Sequence, residues 1–209
     1  MGEPMNSWTR LSVWIASALI ASLGSTAFAD PVSEESGPNL VTNGGFENTP
    51  GIAGSGWTPS GFFFEGFDYF IDSNPADAHS GNRSFAGGGI GAPGFISQTL
   101  TTVPGASYNI HLWLANLSGF ASGTEIQVLW GGNLVYSASD ILGFGYSEIV
   151  IDPIATSLFT DLSIGLRDDS FFLNLDDVSV FHTPEPATLA LLLGGLGAAG
   201  LARRGRPSA

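Results

Sequence analysis

The chain has 209 residues, 19 acidic against 6 basic, a formal net charge of −13 and no cysteine. The length allows one domain plus targeting segments. Seventeen of the acids lie between Asp30 and His182, where only Arg83 and Arg167 are basic. That balance excludes nucleic acid as a partner, because phosphate must be met by Lys and Arg. It also disfavours an anionic membrane surface and suits divalent cations. The missing cysteines exclude disulfides, thiolate metal sites and a cysteine nucleophile.

In chain order, Arg10, the apolar stretch from Leu11 to about Ala27 and the small-x-small site Ala27-Phe28-Ala29 predict a secretory signal peptide over residues 1–29. The competing reading is an uncleaved anchor. Residues 30–38 form a short leader. Residues 39–182 carry no long helical periodicity. Short apolar or alternating runs are broken there by Gly, Pro, Asn, Asp and Ser, which predicts an all-β domain made of two antiparallel sheets. Tyr108 to Leu114 places Ile110, Leu112 and Leu114 on one face of a strand. Glu125 to Trp130, the Gly131-Gly132-Asn133 turn and Leu134 to Tyr136 predict a hairpin. Further strands are expected over 146–151, 160–166 and 171–181, with turns at 103–106 and 167–170. The Phe62–Phe67 stretch is either a buried strand or a contact patch.

The tail, residues 183–209, joins Pro184-Glu185-Pro186, an uncharged apolar run over 187–202, and Arg203, Arg204 and Arg206. As a helix the run would span about 24 Å, short for a hydrocarbon core of about 30 Å. The arginines favour the cytoplasmic side and leave the domain outside. Breaker, apolar segment and basic stop together resemble the PEP-CTERM sorting signal of exported Gram-negative proteins. The resemblance implies export, transient inner-membrane anchoring by a single hydrophobic helix, processing by an exosortase near the Pro-Glu-Pro, and a cell surface or matrix rich in exopolysaccharide.

Within the domain, Asn39 to Glu47 (NLVTNGGFE), Trp57, Ala78 to Ser84 (AHSGNRS), Ile96 to Leu100, Tyr108 to Leu114 and Leu175 to Val180 (LDDVSV) follow one another. That succession resembles the galactose-binding-like jelly rolls, notably carbohydrate-binding modules of families 4, 9 and 22. The resemblance implies a two-sheet jelly roll with its first and last motifs close together. It also implies a structural calcium between Glu47 and Asp176 or Asp177, with carbonyls of the 79–82 turn as further oxygens, in keeping with the ion's demand for six to eight oxygen ligands. Strand alternation sends Asp176 and Asp177 to opposite faces. The competing reading leaves these carboxylates capping local amides.

For polysaccharide binding, sugar rings need exposed aromatic faces and polar side chains beside them. The candidates are Trp57, Phe62, Phe63, Phe64, Tyr69, Trp113, Trp130 and Tyr136, with Asn116, Gln127 and Asp72 as polar partners, and core packing competes for every aromatic. Trp113 faces away from Leu112 and Leu114, so it is the best exposed. Catalysis is not expected. No carboxylate pair lies in a diagnostic motif, no serine lies in a strand–elbow–helix, and His79, His111 and His182 lack zinc spacing. The alternative function is a structural matrix protein that contacts other proteins without holding a glycan.

Overall fold

A computed structural model describes residues 37–48, 51–52 and 55–183. The expected signal peptide, most of the expected leader and the tail from Pro184 onward, with its expected helix, lie outside the described residues.

Ten strands run from Thr58 to Thr183. They are β1 (Thr58–Gly61), β2 (Tyr69–Asp72), β3 (Ser84–Gly87), β4 (Gly94–Thr101), β5 (Ser107–Asn116), β6 (Thr124–Trp130), β7 (Asn133–Ser139), β8 (Phe144–Ile151), β9 (Phe159–Asp168) and β10 (Leu173–Thr183). They form two five-stranded sheets, ordered β1-β4-β9-β6-β7 and β2-β3-β10-β5-β8. Every pairing between strands is antiparallel. The described residues therefore form an all-β, two-sheet jelly-roll sandwich.

Period-two alternation builds the core between the sheets. Ile126, Val128 and Trp130 of β6 and Leu162, Ile164 and Leu166 of β9 point inward from the first sheet. Ile110, Leu112 and Leu114 of β5 meet them from the second. The β6–β7 hairpin turns on Gly131 and Gly132, both at positive φ (57° and 79°), the geometry a two-residue turn of twisted strands requires. Several strand ends differ from expectation, two of them at the last turn. The turn expected at 167–170 lies instead at 169–172, because Arg167 and Asp168 still pair with Glu125 and Thr124 and β10 starts at Leu173.

β10 carries the decisive irregularity. Its core residues are Leu173 and Leu175, then Val178 and Val180. Strict alternation would turn Asp177 into the core. The chain instead inserts one extra residue: register with β5 slips between Asp176 and Ser179, and Asp177 adopts φ 47°. A bulge of this kind restores the apolar face and re-aims a side chain.

Candidate functional site

Two arrangements on the second sheet bring polar chemistry together. The first ties the domain's opening segment to its closing strand. The N–H of Leu40 donates to Val180 O, and that of Val178 to Gly44 O at 3.1 Å. A Cβ on Gly44 would stand 1.8 Å from Val178 O, so only glycine fits. Phe46, fully buried, packs on Trp57 and Phe85. Glu47 then reaches across to the 79–83 turn, where its Oε1 accepts the N–H groups of Asn82 (2.6 Å) and Arg83 (2.8 Å).

The same turn folds over the outer face of the second sheet and receives both aspartates of β10. Asp176, 0% exposed, accepts the N–H groups of His79 (2.9 Å) and Ser80 (3.2 Å) on Oδ2, and that of Asp177 (2.8 Å) on Oδ1. Asp177 pairs with His79 Nδ1 at 2.7 Å and accepts the Ser80 hydroxyl. The expectation of opposite faces is corrected here. The bulge brings both carboxylates to one turn, with Asp176 underneath and Asp177 at the rim. Burial raises the Asp176 carboxyl from 3.8 to about 6; amide hydrogen bonds oppose that rise and the neighbouring Asp177 charge adds to it. Among the described residues, no group of three or more His, Asp or Glu side chains is placed to hold a metal ion. Here Glu47 Oε1 and both oxygens of Asp176 cap backbone amides, as the competing reading expects, and a hard cation at this place would need backbone carbonyls to complete its ligand set.

The second arrangement is a groove of about 240 Å³ on the same outer face. Alternation turns Tyr69 and Ile71 of β2 inward, so Phe70 faces out. In register beside it stand Ala86 of β3, Asn174 of β10 and Ala115 of β5. Of the two alanines Ala86 lines the groove and leaves its floor shallow. Phe172 packs edge-on against Phe70, ring centroids 4.9 Å apart. Phe171 and Phe120, both exposed, stack at 5.2 Å and 12°. Phe171 is positioned by buried Asp168, whose Oδ1 accepts the N–H groups of Ser170 and Phe171. Asp72 and Asp77 add carboxylates to the groove wall. Both also hold the 72–77 turn: Asp72 accepts the N–H of Asn74, and Asp77 the Nδ2–H of Asn74. The Tyr146 phenol donates to Asp77 O at 2.7 Å. Burial, with smaller contributions from Asp176, Asp72 and Asp77, pushes its pKa up.

Most residues expected to bind glycan lie elsewhere. Trp57 is 4% exposed and donates Nε1–H to Asn43 O. Tyr69, also 4% exposed, packs against Phe63 and Phe85 in the core. Asn116 is buried at the end of β5, where its amide closes the 116–120 loop through Phe120 O and Ile141 O. Trp130 is core as well. Gln127 faces outward on the other sheet and bonds Glu125. Trp113 does point outward, but His79 covers one of its faces. Asp72 is the one expected polar partner that lines the groove. Phe70, Asp77, Phe171, Phe172 and Asn174 are not among the expected residues, although alternation through Tyr69-Phe70-Ile71 turns Phe70 outward. Phe62, Phe64 and Phe67 are exposed and only Phe63 packs inward, so 62–67 is a surface patch and no buried strand.

Residues 182–206 match the family model of the PEP-CTERM protein-sorting motif. The tail is a PEP-CTERM sorting signal. It takes in Pro184, Glu185, Pro186 and all three terminal arginines, and it marks an exported protein with a C-terminal membrane-anchoring segment. Among solved structures the chain is similar to TmCBM61, determined with β-1,4-galactotriose. Identity is 20% and TM-score 0.52, covering 70% of this chain and 99% of that one. It is similar also to the CBM22-1 xylan-binding domain of Paenibacillus barcinonensis Xyn10C, at 14% identity, TM-score 0.50 and coverage of 73% and 99%. Another family 22 xylan-binding domain gives 14%, 0.50, 72% and 99%. At these identities the likeness is one of fold, the jelly roll of carbohydrate-binding modules. No curated protein matches the chain.

Proposed function

We propose that this protein is an exported, non-catalytic module that binds polysaccharide at the cell surface or in the matrix of a Gram-negative bacterium, after an exosortase has processed its tail. The groove on the outer face of the β2-β3-β10-β5-β8 sheet carries this reading. It offers what a sugar chain needs: aromatic rings at the wall and mouth, a shallow floor at Ala86, and carboxylates and an amide to meet hydroxyls. Phe171, Phe172 and Phe70 supply the rings; Asp72, Asp77 and Asn174 supply the polar groups. Two aspartates on the wall repel uronates and sulfated chains, so the ligand is a neutral glycan. Each groove carboxylate holds the 72–77 turn through one oxygen and leaves the other for a sugar hydroxyl; hydrolysis is not part of the reading.

The lock between the first and last motifs is assigned to Ca²⁺, with Glu47 and Asp176 as carboxylate ligands and carbonyls of the 79–83 turn completing the set. The support is electrostatic. Asp176 is a buried carboxylate whose ionisation burial opposes and the Asp177 charge opposes further; a divalent cation would relieve both costs. Asp177 belongs instead to His79 and Ser80.

Affinity electrophoresis through gels cast with neutral polysaccharides tests the binding reading: retardation is expected, and it should disappear in gels of an acidic polysaccharide. A second reading, a structural matrix protein, is favoured by the exposed Phe62, Phe64 and Phe67. It predicts concentration-dependent self-association, lost in Phe67→Ser, without retardation by any glycan.

A further inference from the structure

The end of the sandwich from which the tail departs is built from paired strand ends and closely bonded loops. Thr183, the last residue of β10, pairs with Ser107 at the start of β5. Ser107 is bridged on its other side to Ile154. The N–H of Gly105 donates to Ala155 O, that of Ala155 to Ala106 O and that of Thr102 to Leu158 O. The β6–β7 turn reaches the same end, since the N–H of Gly131 donates to Asp161 O. On this bonded framework Val103, Leu134, Ile154, Leu158 and Phe159 are all exposed, Leu158 at 61% and Phe159 at 67%. The backbone there is committed to strands and turns, so the apolar display is fixed by the fold.

The sequence sets the distance to the bilayer. Only Pro184, Glu185 and Pro186 separate Thr183 from the apolar run that begins at Ala187. Four residue steps reach at most about 14 Å. With that run inserted, the Thr183 end of the sandwich is held against the lipid headgroups. The groove end is about 30 Å further out along β10, which begins beside Phe172.

We infer that, while the tail anchors the chain, this end of the sandwich rests on the bilayer surface with Val103, Leu134, Ile154, Leu158 and Phe159 entering the headgroup region. The inference depends on the tail acting as a membrane anchor. Tethering keeps the local concentration of lipid high, so a modest apolar area suffices. Asp152 and Asp161 lie at this end, which selects a zwitterionic lipid surface over an anionic one. The seating holds the Pro-Glu-Pro at the water–lipid boundary and turns the groove away from the membrane.

The absence of cysteine makes single labels clean. Thr156→Cys, at the tail end, and Ser170→Cys, at the groove end, each carry a fluorophore in the tail-bearing protein. The proteins are reconstituted into phosphatidylcholine vesicles containing a headgroup spin-labelled lipid. The inference predicts co-flotation with the vesicles, quenching of at least twofold at 156 and none at 170. Adding Leu158→Asp and Phe159→Asp should remove the quenching at 156 while flotation persists. Co-flotation with 156 and 170 equally quenched or equally unquenched overturns the inference, as does quenching unchanged in the double variant. Failure to float overturns the anchor reading and this inference with it.

Discussion

The imidazole of His79 lies flat on the indole of Trp113, with ring centroids 3.8 Å apart and planes at 13°. The contact pins the 79–83 turn over β5 and covers a ring that the sequence offers as a sugar platform. Trp113→Ala should therefore cost about 1–2 kcal/mol of stability, from the lost stack and lost apolar contact. Glycan affinity should stay within about twofold, because the groove is left intact. Urea denaturation and a glycan titration of the same variant check both halves.

Phe171 gives the opposite pattern. Its ring is at the groove mouth, stacked on Phe120 and half exposed. Phe171→Ala should weaken glycan binding about tenfold, equivalent to about 1.4 kcal/mol. Its melting temperature should stay close to that of the native chain, since no core volume is lost.

The buried Asp176 predicts a specific pH dependence. Its carboxyl titrates at about 6 in the folded chain against 3.8 unfolded. Below pH ~4 both states hold the proton and nothing is lost. As pH rises towards 6 the unfolded chain releases it first, so this residue's contribution to stability falls, by about 3 kcal/mol once both states are ionised. Asp176→Asn removes this dependence. In denaturation series without calcium, the variant should gain on the native chain between pH 4 and 7.

Calcium reverses that trend. An ion on Glu47 and Asp176 stabilises the ionised carboxylate, so millimolar Ca²⁺ should raise the melting temperature at pH 7 and a chelator should restore the lower value. Asp176→Asn and Glu47→Gln should each abolish the rise. An identical melting temperature with and without the ion removes calcium from the account.

Gly44 tests the lock without reference to any ion. An alanine there would drive its Cβ into the Val178 carbonyl. The backbone must move and the Val178 N–H to Gly44 O bond is strained. Gly44→Ala should cost about 2–4 kcal/mol, seen as a lower denaturation midpoint.

How far the structure was legible in the sequence depended on how local the governing pattern was. Alternation over Tyr108–Leu114 and Glu125–Trp130, and the diglycine at 131–132, place strands and a hairpin without tertiary information. The closing LDDVSV segment is half legible: its apolar spacing of three, then two, marks an extra residue, but simple alternation sends Asp176 and Asp177 apart. The groove was not legible, because it is assembled across three strands. Phe70, Asn174 and Phe172 meet only through register, while Trp57 and Tyr69, stronger candidates by residue type, are claimed by the core. Trp113 was read correctly as outward-facing; that a histidine 34 positions earlier in the chain would cover it was beyond any local pattern. The tail is a linear signal, and its order of breaker, apolar run and arginines was readable as it stood.

The most direct test of the central claim is calorimetric titration of the tail-free chain, native and Phe171→Ala/Phe172→Ala, with oligosaccharides of neutral β-linked hexoses and pentoses. The account predicts saturable binding of at least one neutral oligosaccharide by the native chain and its loss in the double variant, with the fold retained. Binding that survives in the double variant, or no binding of any neutral glycan alongside self-association through the Phe62–Phe67 patch, would contradict it.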